Sequence, residues 1–241
     1  MITPRRFHRL RQTLQHRQPD LTVILEQVHK GHNLAAILRT CDAVGIPLAH
    51  AVPTQRPHRV RLVRSPGSGA GVNKWVKTRR HSSIEDAAEE IRRTMPGVRI
   101  LAAHLSPRAY SYLEVDWTQP TALLLGQEKD GVTPEGLAIA DGEVMIPMHG
   151  LVASLNVSVA AAVMLYEARR QREAAGLFAE SRLSPDEFRN TLFRWAYPRL
   201  AQRCKELGIP YPALGESGEL LGELPRGGAA ERGEAAEASG E

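Results

Sequence analysis

Residues 22–52 read TVILEQVHKGHNLAAILRTCDAVGIPLAHAV. TVILEQV is a short apolar run of strand length. In the segment that follows, Leu34, Ile37, Leu38, Cys41 and Val44 recur at helical spacing, and Gly45 stands where a helix commonly ends. LAHAV is a second apolar run. A strand, a helix with one apolar stripe and a second strand make the unit that builds a parallel sheet. The alternation continues outward through WVKTRR, SIEDAAEEIRRT, RILAAHL, TALLLGQE, PEGLAIA and EVMIPM to a long apolar helix after Ser154. Short apolar strands alternating with helices predict an α/β core with a mostly parallel sheet covered on both faces, over residues 20–170.

The flanks differ from this core. Residues 1–19 place Phe7, Leu10 and Leu14 at helical spacing among Arg5, Arg6, Arg9 and Arg11, which predicts a basic amphipathic helix. Residues 171–221 hold a Ser-Pro-Asp-Glu helix start and the packing residues Phe188, Leu192, Phe193 and Trp195 before Pro198, so a helical extension is expected. Residues 222–241 are mostly Gly, Ala and Glu, a composition expected to form a disordered acidic tail.

The net charge is +4, unevenly spread. Residues 1–18 carry five arginines and no acid. Residues 51–84 carry Arg56, Arg59, Arg61, Arg64, Lys74, Lys77, Arg79 and Arg80, again without an acid. Two acid-free basic segments point to a polyanion such as nucleic acid, with a solvated basic surface as the alternative. Arg5, Arg6, Arg9, Arg11, Arg59, Arg61, Arg64 and Lys74 are the candidate RNA contacts. Two distant cysteines, Cys41 and Cys204, form no CxxC and predict a reduced, cytoplasmic protein without a structural metal. Polar residues interrupt every apolar run short of membrane-spanning length.

In an α/β sheet the ligand crevice lies beyond the carboxyl ends of the strands, so residues just after each strand are the informative ones. No GxGxxG follows the first strand, and GxxxxGK[ST], HExxH and GxSxG are missing, which disfavours dinucleotide folds, P-loop enzymes, zinc hydrolases and serine hydrolases. Asn33 falls where a helix N-cap is expected, and Arg39 stands near mid-helix. Ser154 and Asn156 open the last helix, whose apolar first half predicts a start buried inside the protein. Capping by Ser154, with Asn156 incidental, competes there with ligand binding.

Asn33 with Arg39 in NLAAILRT, Glu128 in LLGQEKDGV, and Ser154 with Asn156 ahead of VSVAAAV resemble, in order, the three motifs of the SpoU family of RNA ribose methyltransferases. The resemblance covers residues 20–170. RQPDLTVILEQVHK and YPRLAQRCKELGIPYP extend it to about residue 212, toward members that act on transfer RNA. It implies the SPOUT class, whose parallel sheet has its C-terminal part threaded into a deep trefoil knot. It also implies a homodimer that binds S-adenosylmethionine and methylates the 2′-hydroxyl of a tRNA ribose, guanosine 18 of the D-loop. Carried over, backbone groups of Ala103, Gly126, Ile146, Met148 and Leu155 hold the cofactor, while Asn33, Arg39, Glu128, Ser154 and Asn156 form the catalytic constellation. A guanidinium does not deprotonate near neutral pH, so Arg39 is expected to clamp a phosphate and stabilise the developing alkoxide. The alternatives are the same chemistry on ribosomal RNA, and a noncatalytic RNA-binding protein of the same fold.

Overall fold

A computed structural model describes residues 2–53 and 74–221, which divide into two compact units. The larger, Gln15–Ser184, is built on seven parallel strands in the order β3-β2-β1-β6-β4-β7-β5. These are β1 (Leu21–Glu26), β2 (Leu48–Val52), β3 (Lys77–Arg80), β4 (Arg99–Ala103), β5 (Tyr110–Ser111), β6 (Thr121–Leu125) and β7 (Gly142–Met145). Every neighbouring pair in the sheet runs parallel.

Central strands β1 and β6 are buried along their whole lengths. Their side chains divide by alternation. Leu21, Val23 and Leu25 join Leu123 and Leu125 on one face, and Ile24 joins Ala122 and Leu124 on the other. The first face is covered by α2 (Gly31–Val44) and α5 (Val157–Ala174), the second by α3 (Ile84–Thr94) and α4 (Pro134–Ile139). Covering on both sides explains why these strands read as continuous apolar runs. In α3 the Ser83 side chain caps the helix by accepting from Asp86 N, acids occupy the first turn and arginines the last, each matching the helix dipole.

The smaller unit holds α1 (Pro4–Gln15) as far as Leu14, α6 (Pro185–Ala196), α7 (Pro198–Leu207) and an antiparallel pair, β8 (Ala213–Leu214) with β9 (Leu220–Leu221). The expected stripe of Phe7, Leu10 and Leu14 is the buried face of α1. Among the described residues no helix is long and apolar enough to cross a membrane.

Two expectations are corrected. Helix α2 begins at Gly31 with Lys30 at the cap position, so Asn33 lies inside the first turn and does not cap. Nor is the start of α5 buried: Asn156 is exposed and Val159 is 46% exposed. Ala161, Met164, Leu165 and Ala168 are the buried apolar stripe, with Val157 packed partly buried against the same core. An apolar run shows that burial is available, not that one chain supplies it.

Candidate active site at the strand ends

Beyond the carboxyl ends of β4, β6 and β7 lies a cavity of about 290 Å³, near the lower end of the range for small-molecule sites. Its walls are mixed, with Leu125, Val144 and Met164 among the apolar residues and His104, Gln127, Lys129 and Asp130 among the polar ones. Ala103, Gly126, Ile146, Met148 and Leu155 all line it, together with Glu128 and Ser154.

Glu128 is aimed by the loop that leaves β6. Gln127 and Gly131 exchange backbone hydrogen bonds of 3.0 and 3.1 Å, pinching the loop shut. A Cβ on Gly126 would lie 2.1 Å from the Gly131 carbonyl carbon, so no other residue fits there. The far foot of the loop is tied down by Glu26, a buried carboxylate at the end of β1 that accepts from Thr133 N at 2.9 Å and from Thr133 Oγ1 at 2.6 Å. Gln27 follows at φ 53°, the one non-glycine residue with positive φ among the described residues. A side chain held in that region costs on the order of 1–3 kcal/mol and is found where a site demands it.

Asn33, Glu128 and Asn156 meet in one directed chain of hydrogen bonds. Glu128 Oε1 accepts from Asn33 Nδ2 at 2.6 Å, and Asn33 Oδ1 accepts from Asn156 Nδ2 at 3.2 Å. Asn156 Oδ1 then accepts from Ser158 N at 2.8 Å and from Ser158 Oγ at 2.7 Å, which caps α5. A carboxylate only accepts, so its charge fixes the orientation of both amides. Burial pushes the Glu128 carboxyl up, but the Asn33 hydrogen bond, its own backbone N–H and the nearby His29 and Lys30 outweigh that and hold it below its usual range. Its second oxygen, Oε2, is buried and accepts no hydrogen bond; the half-exposed His29 ring stands 3.4 Å from it. An ionised oxygen without a donor beside a cavity is an acceptor site for a ligand.

Glu128 therefore belongs both to the cavity wall and to the amide network. Ser154 lines the cavity but is exposed and does not cap the helix, which corrects the capping expectation; Asn156 performs that role. Arg39 joins neither group. Six residues past Asn33 it stands about 9 Å along the helix and about 120° round it. It is exposed and makes no hydrogen bond or ion pair with a described residue. Arg5, Arg6, Arg9 and Arg11 are exposed on α1, and Lys74 is exposed ahead of β3, whereas Arg56, Arg59, Arg61 and Arg64 lie outside the described residues, as do the glycine-rich loop 65–71 and the acidic tail. Glu26 was not anticipated; the available signal was a lone acid closing an otherwise apolar strand. Burial pushes the Cys41 thiol up to about 12, leaving it a packing group in the core. No cluster of three His, Cys, Asp or Glu suited to a metal occurs among the described residues.

Residues 20–166 match the SpoU rRNA Methylase family, and residues 170–223 match the SpoU rRNA methylase C-terminal family. The chain belongs to the SpoU methylase family. It is 47% identical over 221 residues to the tRNA (guanosine(18)-2′-O)-methyltransferase of Escherichia coli K12, covering 91% of this chain and 94% of that protein. The crystal structure of the A. aeolicus TrmH/SpoU tRNA-modifying enzyme superposes with a TM-score of 0.73 at 39% identity, covering 80% of this chain and 96% of that one. A more distant SpoU methyltransferase, AviRb from Streptomyces viridochromogenes, solved in complex with AdoMet, gives a TM-score of 0.56 at 27% identity over 66% of this chain and 59% of that one. Of the residues the sequence singles out, Asn33, Glu128, Ser154 and Asn156 gather at the strand ends, and Arg39 stands apart.

Proposed function

We propose that the protein transfers the methyl group of S-adenosylmethionine to the 2′-hydroxyl of a tRNA ribose, guanosine 18 of the D-loop. The reading is carried by 47% identity across 91% of the chain to an enzyme of that specificity. The site suits the cofactor in kind: apolar wall residues for adenosine, backbone groups at strand ends, and the orphaned Glu128 Oε2 to accept from a hydroxyl or ammonium.

S-adenosylmethionine supplies an electrophilic sulfonium methyl. The chain's own part is to hold it and align the ribose oxygen for in-line attack. Ala103, Gly126, Ile146, Met148 and Leu155 hold the cofactor through their backbone groups, with Ser154 at the mouth. Asn33, Glu128 and Asn156 lock the loop after β6 to the starts of α2 and α5, so the walls keep their spacing while substrate binds. Arg39, exposed and uncommitted, clamps an RNA phosphate and stabilises the alkoxide as the proton leaves. The arginines of α1 and Lys74 grip the RNA backbone, with Arg59, Arg61 and Arg64 assigned the same role. The trefoil knot belongs to this reading, since the segments after β6 and β7 that would form it both line the cavity. So does a cytoplasmic homodimer: Leu151, Val152 and Val159 stand exposed beside the α5 start, an apolar surface suited to a second copy.

The test is methyl transfer from labelled S-adenosylmethionine to unmodified tRNA, followed by digestion to locate the label. Label in 2′-O-methylguanosine at position 18 is the expected result. Label elsewhere in tRNA, or on ribosomal RNA alone, overturns the substrate; no label on any RNA leaves a noncatalytic RNA-binding protein.

A further inference from the structure

The smaller unit contains a second cavity, of about 500 Å³, larger than the one at the strand ends. It lies wholly within that unit, walled by α1, α6 and the stretch Tyr211–Glu216. Its character differs from the first. Four aromatic rings, Phe7, Phe188, Phe193 and Tyr211, contribute to the wall. Phe193 and Tyr211 are already stacked, with ring centroids 4.8 Å apart and planes within 10°. Phe7 is clamped from behind: Gly218, at φ 90°, lies so close that a Cβ there would be 2.5 Å from the ring, and its carbonyl accepts from Tyr197 Oη at 2.6 Å. Phe188 and Tyr211 are only half-buried, so both retain surface for a ligand.

The rim is polar and carries charges of both signs. Arg11, exposed one turn from Phe7 on α1, makes no hydrogen bond or ion pair with a described residue, and neither does the exposed amide of Asn190. Arg189 is partnered by Asp186 on its own helix, and Glu216 adds one carboxylate. Helix α1 itself has no acid, and its remaining arginines, Arg5, Arg6 and Arg9, are exposed outside the cavity.

We infer that this cavity receives one unstacked nucleobase of the RNA substrate. The inference rests on the RNA reading above and adds a base-holding pocket distinct from the methyl-transfer cavity. Flat aromatic walls offer stacking to any base face, an uncommitted amide and a carboxylate meet the donors and acceptors of a base edge, and guanidinium groups on an acid-free helix take the flanking phosphates. A purely apolar partner would leave Arg11 and Asn190 facing it without partners, which disfavours a protein helix as the occupant.

Ultraviolet crosslinking of the full chain to tRNA, with mass spectrometry of the peptides, is paired with equilibrium binding across a salt series. A crosslink at Phe188 or Tyr211 to a single nucleotide is expected. Phe188→Ala and the volume-keeping Phe188→Leu should each weaken tRNA binding roughly 5- to 100-fold without changing the salt slope, and Phe188→Trp should restore it. Arg11→Ala should instead lower the slope by about one. Thermal melts of each variant separate lost binding from lost folding. Wild-type affinity for Phe188→Leu together with no crosslink overturns the pocket, while leaving methyl transfer by the wild type intact. A Phe188→Leu chain that changes its oligomeric state but not its RNA affinity also overturns it, making the cavity a contact between copies. Failure of the wild type to bind any RNA overturns the pocket and the proposed function together.

Discussion

At the scale of single residues, the charge on Glu128 organises the site. It turns the Asn33 amide toward itself, Asn33 in turn turns Asn156, and Asn156 is left to cap α5. Asn33→Ala should therefore cost more than one hydrogen bond, because it removes the donor to Glu128 Oε1 and the acceptor of the Asn156 amide together. A loss of about 1–3 kcal/mol is expected from urea unfolding, with methyl transfer reduced at least tenfold. An Asn33→Ala chain of wild-type stability and activity would show that the network is incidental. Glu26 acts at one remove, through Thr133. Glu26→Gln keeps the size and can still accept from Thr133 N–H, but its NH₂ then faces Thr133 Oγ1, which must stop donating and accept instead; with both charge-assisted bonds lost, the Glu128 loop should loosen. The expected signature is a fall in kcat larger than any rise in KM for tRNA, together with faster hydrogen exchange at residues 126–133; a variant whose only change is a lower melting temperature would assign Glu26 to stability alone. Because Glu128 is held below its ordinary value, its share of stability is present at neutral pH and is lost as pH falls through its folded pKa.

Between elements, His50 on β2 and His81 at the end of β3 show the same linkage on the other side of the sheet. His50 Nδ1 lies 2.9 Å from His81 Nε2, the rings are stacked, and Glu90 on α3 stands beside His81. Burial, then His81, then Arg79 push His50 down to about 4, while burial and Arg79 lower His81 against the pull of Asp86. The unfolded chain protonates His50 near 6.5 and the folded chain only near 4, so stability should fall by up to about 3 kcal/mol as pH drops through that window. Denaturation midpoints at pH 7 and pH 4.5 measure this. Replacing His50 by Gln should flatten the difference, and an unchanged slope would remove His50 as its source. The elements themselves were legible wherever one local pattern decides them: the unbroken apolar runs of β1 and β6, the stripe of α1, the proline break ahead of α7. What could not be read is long-range or supplied by no local pattern. Asn33 and Glu128 are 95 positions apart, and Glu26 and Thr133 are 107 apart. No periodicity links such pairs, so the resemblance could name the first and nothing flagged the second. Two-residue β5 is too short for a pattern, and the exposed α5 start defeats any rule that equates apolar with buried.

For the whole molecule, the proposed RNA contacts predict how affinity responds to salt. With the arginines of α1 and Lys74 on phosphates, log affinity for tRNA should fall linearly with log salt, and Arg5→Ala with Arg9→Ala should each reduce the slope by about one. Affinity indifferent to salt would remove α1 as a footprint. The exposed apolar residues beside α5 make a separate claim: Val159→Asp should give monomers in sedimentation at concentrations where the parent chain is dimeric, and a parent chain that sediments as a monomer would end that claim. The strand order has a further consequence, in time. Leu21 pairs with Thr121, so the inner edge of β1 has no strand to join until about 100 more residues have been made. At translation rates of about 5–20 residues per second that is a wait on the order of 5 to 20 s. During it, one of the most apolar strands of the nascent chain has an open edge and a wholly uncovered inner flank. Chaperone dependence and aggregation of this protein should therefore be governed by synthesis between β1 and β6, and slowing translation there should harm its yield more than slowing it anywhere later.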